Sequence, residues 1–248
     1  MLLRVCAFVL GAFFLLVDCA RASEITQVHI VFDQRDRSYS FYAPETGSTS
    51  ERPLLVLLHG SGGNGLTIAR LWKTLADQEG IVLAAPDALQ PGAWHLDKDE
   101  PEFIHAVVDD VARQQKVDSR RIYLFGQSGG AVYALTLAML ESDYFAAMAI
   151  HAGSWRQRGE FKVMDYARRR IPLKIIIGDR DEYFSMSSVR KTQTALADAR
   201  FPIEVSVLEG RYHVYADETA PETNAIAWDF LKSKTIEGTP SFTAYRTH

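Results

Sequence analysis

The stretch Arg121-Ile-Tyr-Leu-Phe-Gly-Gln-Ser-Gly-Gly130 sets a serine between glycines directly after an apolar run. It leads into Ala131–Leu140, an apolar segment that favours a helix. A serine at such a strand-to-helix corner sits on a strained turn, which pushes its hydroxyl out at the carboxyl edge of a sheet. The flanking glycines are needed because a side chain there would clash with the neighbouring strand and helix. This context favours Ser128 as a nucleophile, and a glycine-rich turn with an incidental serine is the alternative.

Apolar runs alternate with amphipathic segments on both sides of this corner. Runs that are apolar on both faces are typical of strands in a buried, largely parallel sheet. Strands are predicted at Leu54–Leu58, Ile81–Ala85, Ile122–Phe125, Ala146–Ile150, Leu173–Ile177 and Ile203–Leu208. Helices are predicted at Thr67–Glu79, Glu102–Gln115, Ala131–Leu140, Ser187–Arg200 and Thr223–Lys232. The repeated alternation predicts an α/β fold, a doubly wound and mostly parallel sheet with helices on both faces.

Two stretches depart from this alternation. At the amino end, Ile25–Phe32 and Ser38–Tyr42 alternate partly between polar and apolar residues, and they predict an antiparallel hairpin. The segment Ser154–Arg170 carries Trp155 and several arginines without clean periodicity. Two interpretations of this segment stay open, a substrate-facing loop and a solvated basic helix.

The first 22 residues differ from the rest of the chain. Arg4 precedes an unbroken apolar run from Val5 to Val17, and Ala20-Arg21-Ala22 stands before Ser23. This is the layout of a secretory signal with its cleavage site. The apolar run is shorter than the about 20 residues that cross a bilayer. We therefore expect a signal peptide at 1–22, a single domain at 23–248 with no integral membrane segment, and a secreted or periplasmic protein.

Composition excludes several classes of function. The 248 residues are 47% hydrophobic and 23% charged, which is the balance of an ordinary globular protein. Both cysteines, Cys6 and Cys19, lie in the predicted signal, so a disulfide or a cysteine nucleophile is not expected in the mature chain. The formal net charge of −4 offers no electrostatic basis for binding nucleic acid. Oligomeric state is left unknown by these patterns.

A second glycine-rich element is Leu55-Val-Leu-Leu-His-Gly-Ser-Gly-Gly-Asn-Gly65, an apolar run that leads into a loop. A serine nucleophile needs backbone N–H groups about 3 Å from the oxygen that becomes negative during the reaction. Only a loop free of bulky side chains can approach that oxygen so closely. The N–H groups of Ser61 and Gly129 are the candidates for this oxyanion hole. A phosphate-binding loop is the competing interpretation, and the Lys-Ser/Thr ending of a P-loop is missing.

A serine hydroxyl is a poor nucleophile until a base accepts its proton, so the site needs a histidine. In this arrangement the chain order is serine, acid, histidine. His213 and His248 follow Asp179 and Asp181, the two candidates for the acid, and His248 is the last residue. Because His213 comes just after a predicted strand, it is the candidate base. Of the remaining histidines, His59 is expected to brace the glycine-rich loop, His95 to lie near the pocket, and His29, His105 and His151 to be surface or core residues.

The acid is expected directly after the strand Leu173–Ile177, where the chain reads Gly178-Asp179-Arg180-Asp181. A buried carboxylate at this point would hold the tautomer of the histidine and stabilise its protonated form during the reaction. Asp181 and Asp179 both qualify by position. Composition does not separate them.

With these pieces in place, the chain resembles the compact α/β-hydrolases described as polyhydroxybutyrate-depolymerase-like or feruloyl-esterase-like secreted esterases. The resemblance extends from about Ser38 to Lys232. It is carried by Leu58-His59-Gly60, Ala85-Pro86-Asp87, the segment Val117–Tyr123 that leads into Gly126–Gly130, and Gly178–Asp181. In that family the acid typically stands three residues after the glycine, so the resemblance favours Asp181 over Asp179. The family histidine follows a glycine-rich turn, which Gly210-Arg-Tyr-His213 matches in part.

The chain also departs from this group. Depolymerases of this type commonly carry cysteines and a separate polymer-binding domain, and the predicted mature chain has neither. The resemblance therefore implies ester hydrolysis more than polymer degradation. Trp94, Trp155 and Tyr183 are predicted to lie on loops after strands, and they are candidates for the wall of a substrate pocket. Plain packing is the alternative for all three.

We predict a serine carboxylic ester hydrolase that acts through an acyl-enzyme on a small-molecule or polymeric ester. Ser128 attacks, His213 accepts and returns the proton, and Asp181 orients His213. No cofactor and no metal are implied. Two rival interpretations are a serine peptidase of the same fold and a non-catalytic binding protein of that fold.

Overall fold

The computed structural model describes residues 24–45 and 50–243. In this part of the chain the strands are β1 (Thr26–Phe32), β2 (Arg35–Tyr42), β3 (Arg52–Leu58), β4 (Val82–Pro86), β5 (Val117–Gln127), β6 (Ala147–His151), β7 (Leu173–Gly178) and β8 (Ile203–Leu208). The α helices are α1 (Gly65–Glu79), α2 (Pro101–Gln114), α3 (Gly129–Leu140), α4 (Met186–Asp198) and α5 (Ala220–Leu231). Every predicted strand and helix is present, with bounds shifted by a few residues.

The strands form one sheet in the order β1-β2-β4-β3-β5-β6-β7-β8. The first two strands make an antiparallel hairpin, and β2 also pairs antiparallel with β4. From β4 to β8 every neighbouring pair is parallel. The predicted opening hairpin and the mostly parallel sheet are therefore both confirmed.

The hydrophobic core lies in two layers, one on each face of the sheet. In β3, Leu54, Val56 and Leu58 face the layer formed with α2, α3 and α4. The alternate residues Leu55 and Leu57 face the layer formed with α1 and α5. All five side chains are fully buried. A strand that is apolar at every position is thus explained by helices that cover both faces of the sheet.

The segment Ser154–Arg170 forms a loop with one short 3₁₀ helix, Glu160–Tyr166. Trp155 is buried, and its ring packs against Phe161 at 5.4 Å between centroids. The backbone N–H of Trp155 also donates a 3.0 Å hydrogen bond to Thr192 Oγ1 on α4. The segment is therefore not one solvated basic helix, because Ser154 and Trp155 are buried and the 3₁₀ helix contains no arginine.

The predicted signal peptide, 1–22, lies outside the described residues, as does His248. Between residues 24 and 45 and between 50 and 243, no helix has the length and apolar character needed to cross a membrane.

The sheet brings the predicted site residues to one edge. Ser61 follows β3, Ser128 follows β5, Asp181 follows β7 and His213 follows β8. These four strands are parallel, so their carboxyl ends meet at the same edge of the sheet. In open α/β sheets, ligands bind at that edge.

Candidate active site

Ser128 occupies the corner between β5 and α3 with φ +53° and ψ −116°. A residue other than glycine in this region of backbone space costs about 1–3 kcal/mol, so its surroundings must hold it there. Its N–H donates a 3.0 Å hydrogen bond to the His151 carbonyl oxygen at the end of β6. Its own carbonyl oxygen accepts hydrogen bonds from Ala131 and Val132 in the first turn of α3. The serine is thus held in a strained conformation by β6 on one side and by its own helix on the other.

The glycines around Ser128 are required by close backbone contacts. A Cβ atom on Gly126 would overlap the Gly130 carbonyl oxygen. A Cβ atom on Gly130 would overlap the carbonyl oxygen of Leu58, at the end of β3. These contacts give the Gly-X-Ser-X-Gly spacing a steric cause, as the sequence predicted.

The structure brings together Ser128, His213 and Asp181. Ser128 Oγ lies 2.9 Å from His213 Nε2, and His213 Nδ1 lies 2.8 Å from Asp181 Oδ2. The Asp181 side chain is only 1% exposed and that of His213 is 12% exposed. The second carboxylate oxygen, Asp181 Oδ1, accepts hydrogen bonds from the N–H groups of Tyr183 and Phe184 at 2.9 and 2.7 Å. Asp181 therefore has fixed partners for both oxygens and presents one of them to the histidine.

The loop that carries Asp181 is hydrogen-bonded to the loop that carries His213. Asp179 Oδ1 accepts a 2.7 Å hydrogen bond from the Gly210 N–H. Arg180 donates its N–H to the Arg211 carbonyl oxygen at 2.9 Å, and the same oxygen lies against Gly178. These bonds separate the two acid candidates that the sequence left open. Asp181 contacts His213, whereas Asp179 holds the turn that delivers His213.

The register of β3 and β5 explains how the oxyanion candidates meet. Leu58 pairs with Gly126, so the residues that follow the two parallel strands run side by side. As a result, the Ser61 backbone nitrogen lies 3.4 Å from the point where a Cβ on Gly129 would stand. Within residues 24–45 and 50–243, no acceptor is found for the N–H group of Ser61 or of Gly129. Two free N–H donors therefore lie beside Ser128, one of them in the first turn of a helix, where the macrodipole favours negative charge.

His59 orients one of these donors. The His59 ring is buried, its Nε2 accepts a hydrogen bond from the Ala88 N–H at 3.1 Å, and its Nδ1 donates to the Gly60 carbonyl oxygen at 2.8 Å. Burial lowers the pKa of His59, which favours the neutral ring that this pair of bonds requires. The Gly60 carbonyl and the Ser61 N–H belong to one planar peptide and point in opposite directions. A histidine that holds the carbonyl therefore sets the direction of the Ser61 N–H, which agrees with the bracing role predicted for His59.

Sequence reasoning missed a layer of polar residues behind the glycine-rich loop. Asp87 Oδ1 accepts a 2.7 Å hydrogen bond from the Gly65 N–H. Arg37 and Asp99 form a buried ion pair at 2.7 Å, and Asp99 also accepts from the N–H groups of Leu89 and His95. Asp87 had a signal, since it directly follows β4 in the Ala85-Pro86-Asp87 piece. Arg37 and Asp99 are 62 residues apart and no local pattern joins them.

His151 lies directly behind the site. Its side chain is buried, its Nδ1 has no hydrogen-bond partner in the described part of the chain, and its ring packs on Tyr215 at 5.3 Å. Burial, aided by the nearby charge of His213, lowers the pKa of His151 to about 4. His151 is therefore neutral at neutral pH.

The three aromatic pocket candidates have different surroundings. Trp94 is 8% exposed, its Nε1 donates a 2.8 Å hydrogen bond to the His59 carbonyl oxygen, and its ring stacks on Tyr133. Trp155 is 1% exposed in the helical layer. The pocket-wall prediction is thus wrong for these two residues, because their rings fill the core instead. Tyr183 is 64% exposed, and its ring centroid lies 4.7 Å from that of His213.

A small cavity is lined in part by the glycine-rich loop. Its volume is about 110 Å³, and Ser61, Asn64, Thr67, Gln127 and Tyr215 are among the residues that line it. Gln127 directly precedes Ser128 in the chain. This cavity is therefore a candidate for holding the smaller part of a substrate.

The glycine spacing of the loop is by itself ambiguous. Gly60, Gly62 and Gly65 follow a strand and precede a helix with the spacing of a dinucleotide-binding loop. In the structure Ser61 from this loop lies against Gly129, and Gly65 is bonded to Asp87. The loop thus faces the serine corner, which agrees with the oxyanion interpretation.

A mostly parallel sheet with a serine at a strand-to-helix corner, an acid after a later strand and a histidine after the last strand defines an α/β-hydrolase. The chain belongs to the dienelactone hydrolase family, whose model matches residues 84–237, more than half of the chain.

Comparison with individual proteins agrees with this assignment. The chain is 32% identical over 142 residues to NocK of Nocardia uniformis subsp. tsuyamanensis, which carries the name of an esterase; the match covers 52% of this chain and 41% of NocK. It is 28% identical over 137 residues to the poly(3-hydroxybutyrate) depolymerase of Ralstonia pickettii, over 46% of this chain and 28% of that protein. The matches thus span less than half the length of these curated relatives.

A solved structure of a ferulic acid esterase superposes with a TM-score of 0.69 at 16% identity, over 84% of this chain and 97% of that one. At this identity the likeness shows a shared fold. The predicted α/β-hydrolase fold, the resemblance to esterases and the prediction of a hydrolase are confirmed at the level of the family.

Proposed function

We propose that the protein is a serine carboxylic ester hydrolase that acts through an acyl-enzyme, with Ser128 as nucleophile, His213 as base and Asp181 as the acid. The proposal is carried by one observation, the chain of hydrogen bonds from Ser128 Oγ to His213 and on to Asp181, at 2.9 and 2.8 Å. The esterase and depolymerase names of the relatives support an ester as substrate. The proposed reaction needs no cofactor.

In the first half of the proposed reaction, Ser128 Oγ attacks the ester carbonyl carbon while its proton passes to His213 Nε2. The N–H groups of Ser61 and Gly129 stabilise the oxygen that becomes negative. When the tetrahedral intermediate collapses, the bond to the alcohol oxygen breaks, and that oxygen takes the proton from His213. An acyl-serine and a free alcohol result.

In the second half, a water molecule replaces the alcohol. His213 accepts a proton from the water as its oxygen attacks the acyl carbon, and Ser128 leaves as the hydroxyl once that proton is returned. The carboxylic acid is released. The Asp181 carboxylate keeps its hydrogen bond to His213 Nδ1 and stabilises His213 each time the histidine is protonated.

The test is hydrolysis of nitrophenyl esters, from acetate to long acyl chains, by the purified protein and by Ser128→Ala. We expect the variant to lose activity by several orders of magnitude, because the attacking oxygen is gone. Short acyl groups should react best, since the cavity beside Gln127 is small. The matched control is Ser187→Ala, which removes an exposed hydroxyl from α4.

A fluorophosphonate probe gives a second readout. It should label the wild-type protein and the Ser187→Ala variant but not Ser128→Ala. Equal hydrolysis by wild type and Ser128→Ala would contradict the proposal. Absence of both hydrolysis and labelling would favour a non-catalytic binding protein, and faster cleavage of aminoacyl nitroanilides than of esters would favour a peptidase.

We also propose that residues 1–22 act as a cleaved export signal and that the protein works outside the cytoplasm, secreted or periplasmic. The support is the sequence pattern of Arg4, the apolar run and Ala20-Arg21-Ala22. Amino-terminal sequencing of the exported protein should begin at Ser23. A mature protein that retains the apolar run would contradict the proposal.

A further inference from the structure

Tyr183 combines two properties that are seldom found together. Its side chain is 64% exposed, although it is a large aromatic residue. At the same time its ring packs against His213, with 4.7 Å between centroids and a tilt of 55°. One part of the ring is thus fixed beside the base, and the rest is open to a ligand.

The position of Tyr183 is set by the acid itself. Its backbone N–H donates a 2.9 Å hydrogen bond to Asp181 Oδ1, and that of Phe184 donates to the same oxygen at 2.7 Å. Phe184 is buried, and its ring stacks on His213 at 5.8 Å. The backbone of this turn is therefore held at Asp181, so the side chain of Tyr183 starts from a fixed point beside His213.

The chemistry of the proposed reaction decides which part of a substrate lies next to this ring. The alcohol oxygen must take its proton from His213 Nε2, so it lies within hydrogen-bond reach of that atom, about 2.6–3.2 Å. In the proposed reaction the negative oxygen lies at the N–H groups of Ser61 and Gly129, not at the histidine. The alcohol part of the ester therefore leaves past the histidine, and Tyr183 is the exposed aromatic ring that contacts the histidine.

Other aromatic residues do not compete for this role. Trp94 and Trp155 are buried in the core. Tyr212 precedes His213 in the chain and is 53% exposed, but its ring lies near the Arg180 guanidinium. In the described part of the chain, no ring contact joins Tyr212 to His213.

We propose that Tyr183 forms the subsite for the alcohol part of the ester and that it selects alcohols carrying a six-membered ring, aromatic or pyranose, close to the ester oxygen. A tyrosine face packs well on an aromatic ring or on the C–H face of a pyranose, and it gains little from a short alkyl chain. This inference rests on the proposed esterase function and specifies its substrate class.

The test compares acetates of alcohols that differ in shape but have the same acyl group. Benzyl acetate carries an aromatic ring, a monoacetylated methyl xyloside carries a pyranose, and ethyl acetate carries neither. The variants are Tyr183→Ala, Tyr183→Phe and, as a matched exposed tyrosine, Tyr212→Ala. The readout is the ratio of kcat/KM for each ring ester to kcat/KM for ethyl acetate, which cancels general effects on the catalytic groups.

We expect Tyr183→Ala to lower the ratio for a ring ester roughly three- to tenfold, in line with the energy of one stacking contact. Tyr183→Phe keeps the ring and should keep the ratio, and Tyr212→Ala should leave it unchanged. A fall with benzyl acetate alone would assign the subsite to aromatic alcohols, and a fall with the xyloside alone would assign it to sugars. The rate at which a common acetyl-enzyme is hydrolysed should not change, because the alcohol has already left.

An unchanged ratio for both ring esters in Tyr183→Ala, with ester hydrolysis still dependent on Ser128, would overturn the subsite and leave the proposed function standing. An equal fall of the ratio in Tyr212→Ala would also overturn it. Absence of ester hydrolysis in the wild-type protein would overturn the proposed function and this inference together.

Discussion

Asp179 and Asp181 lie two residues apart, and each carboxylate has its own task. Asp181 is bonded to the ring of His213, whereas Asp179 accepts the N–H of Gly210 in the turn before it. The difference arises because the chain turns directly after β7, so the two side chains diverge. One carboxylate holds the ring of His213, and the other holds the backbone that carries His213.

This division predicts unequal effects of the same substitution. Asp181→Asn should lower kcat for nitrophenyl acetate by about three to four orders of magnitude, because an amide neither stabilises protonated His213 nor holds its tautomer. Asp179→Asn is the matched control and should change kcat by no more than a few-fold, since its amide oxygen can still accept from Gly210. The reverse order of effects would move the assignment to Asp179.

At the scale of secondary-structure elements, the site depends on how closely α3 approaches β3. Gly130 in the first turn of α3 lies against the carbonyl oxygens of Leu58 and His59, at the end of β3. That contact holds Ser128, which directly precedes α3, against the loop that carries Ser61. The strand register and the glycine therefore act together. Pairing of Leu58 with Gly126 places the loops after β3 and β5 side by side, and glycine at position 130 lets α3 approach the end of β3.

Gly130→Ala should disturb this contact. The added methyl group overlaps two backbone carbonyls, so we expect a loss of about 1–3 kcal/mol in the free energy of unfolding. Activity on nitrophenyl acetate should fall as well, because Ser128 moves relative to the oxyanion N–H groups. Gly92→Ala, at an exposed glycine with open space around it, is the control for both urea denaturation and kcat. Equal stability of the two variants would contradict this account.

At the scale of the whole molecule, Thr243 is hydrogen-bonded to Glu141, the residue that directly follows α3. The buried side chain of Glu141 accepts a 2.8 Å hydrogen bond from the Thr243 N–H, 102 residues further along the chain. Its other oxygen, Oε1, has no partner among the described residues. Burial raises the pKa of Glu141 from the ordinary value of 4.5 to about 7. The folded protein therefore holds the proton of Glu141 at a pH where the unfolded chain has released it.

The raised pKa of Glu141 makes the contribution of this residue to stability fall as pH rises. Between about pH 4.5 and pH 7 the folded state holds the proton of Glu141 more often than the unfolded state, so the contribution of Glu141 to the free energy of unfolding decreases in that range, whereas the lowered pKa of His151 acts in the opposite direction below pH 6.5. We expect this group to contribute about 1–3 kcal/mol to the decrease. Glu141→Gln should remove this contribution, so the free energy of unfolding of the variant should rise with pH relative to that of the wild type when urea denaturation is measured at pH 4.5, 6 and 8. The control Glu237→Gln changes an exposed glutamate, and an equal rise relative to the wild type in that variant would rule out Glu141 as the cause.

The order of strands and helices was predictable from the sequence because it rests on local patterns. Runs such as Leu54–Leu58 are apolar at every position, and a helix covers each face of that strand. The corner at Ser128 was predictable for the same reason, since its glycines avoid clashes with residues near them in the chain or on the adjacent strand. His213 was named by chain order, and its catalytic role stays a prediction.

The sequence by itself therefore determined the alternation of elements, the serine corner and the glycine-rich loop, because each depends on residues that are contiguous or periodic. Only the tertiary structure decided which aspartate faces His213, that Trp94 and Trp155 are buried, and that Tyr183 lies exposed beside His213. Those outcomes depend on contacts between distant parts of the chain, such as Ser128 with His213 over 85 residues. No local pattern encodes such contacts, because they arise when the sheet and its loops pack together.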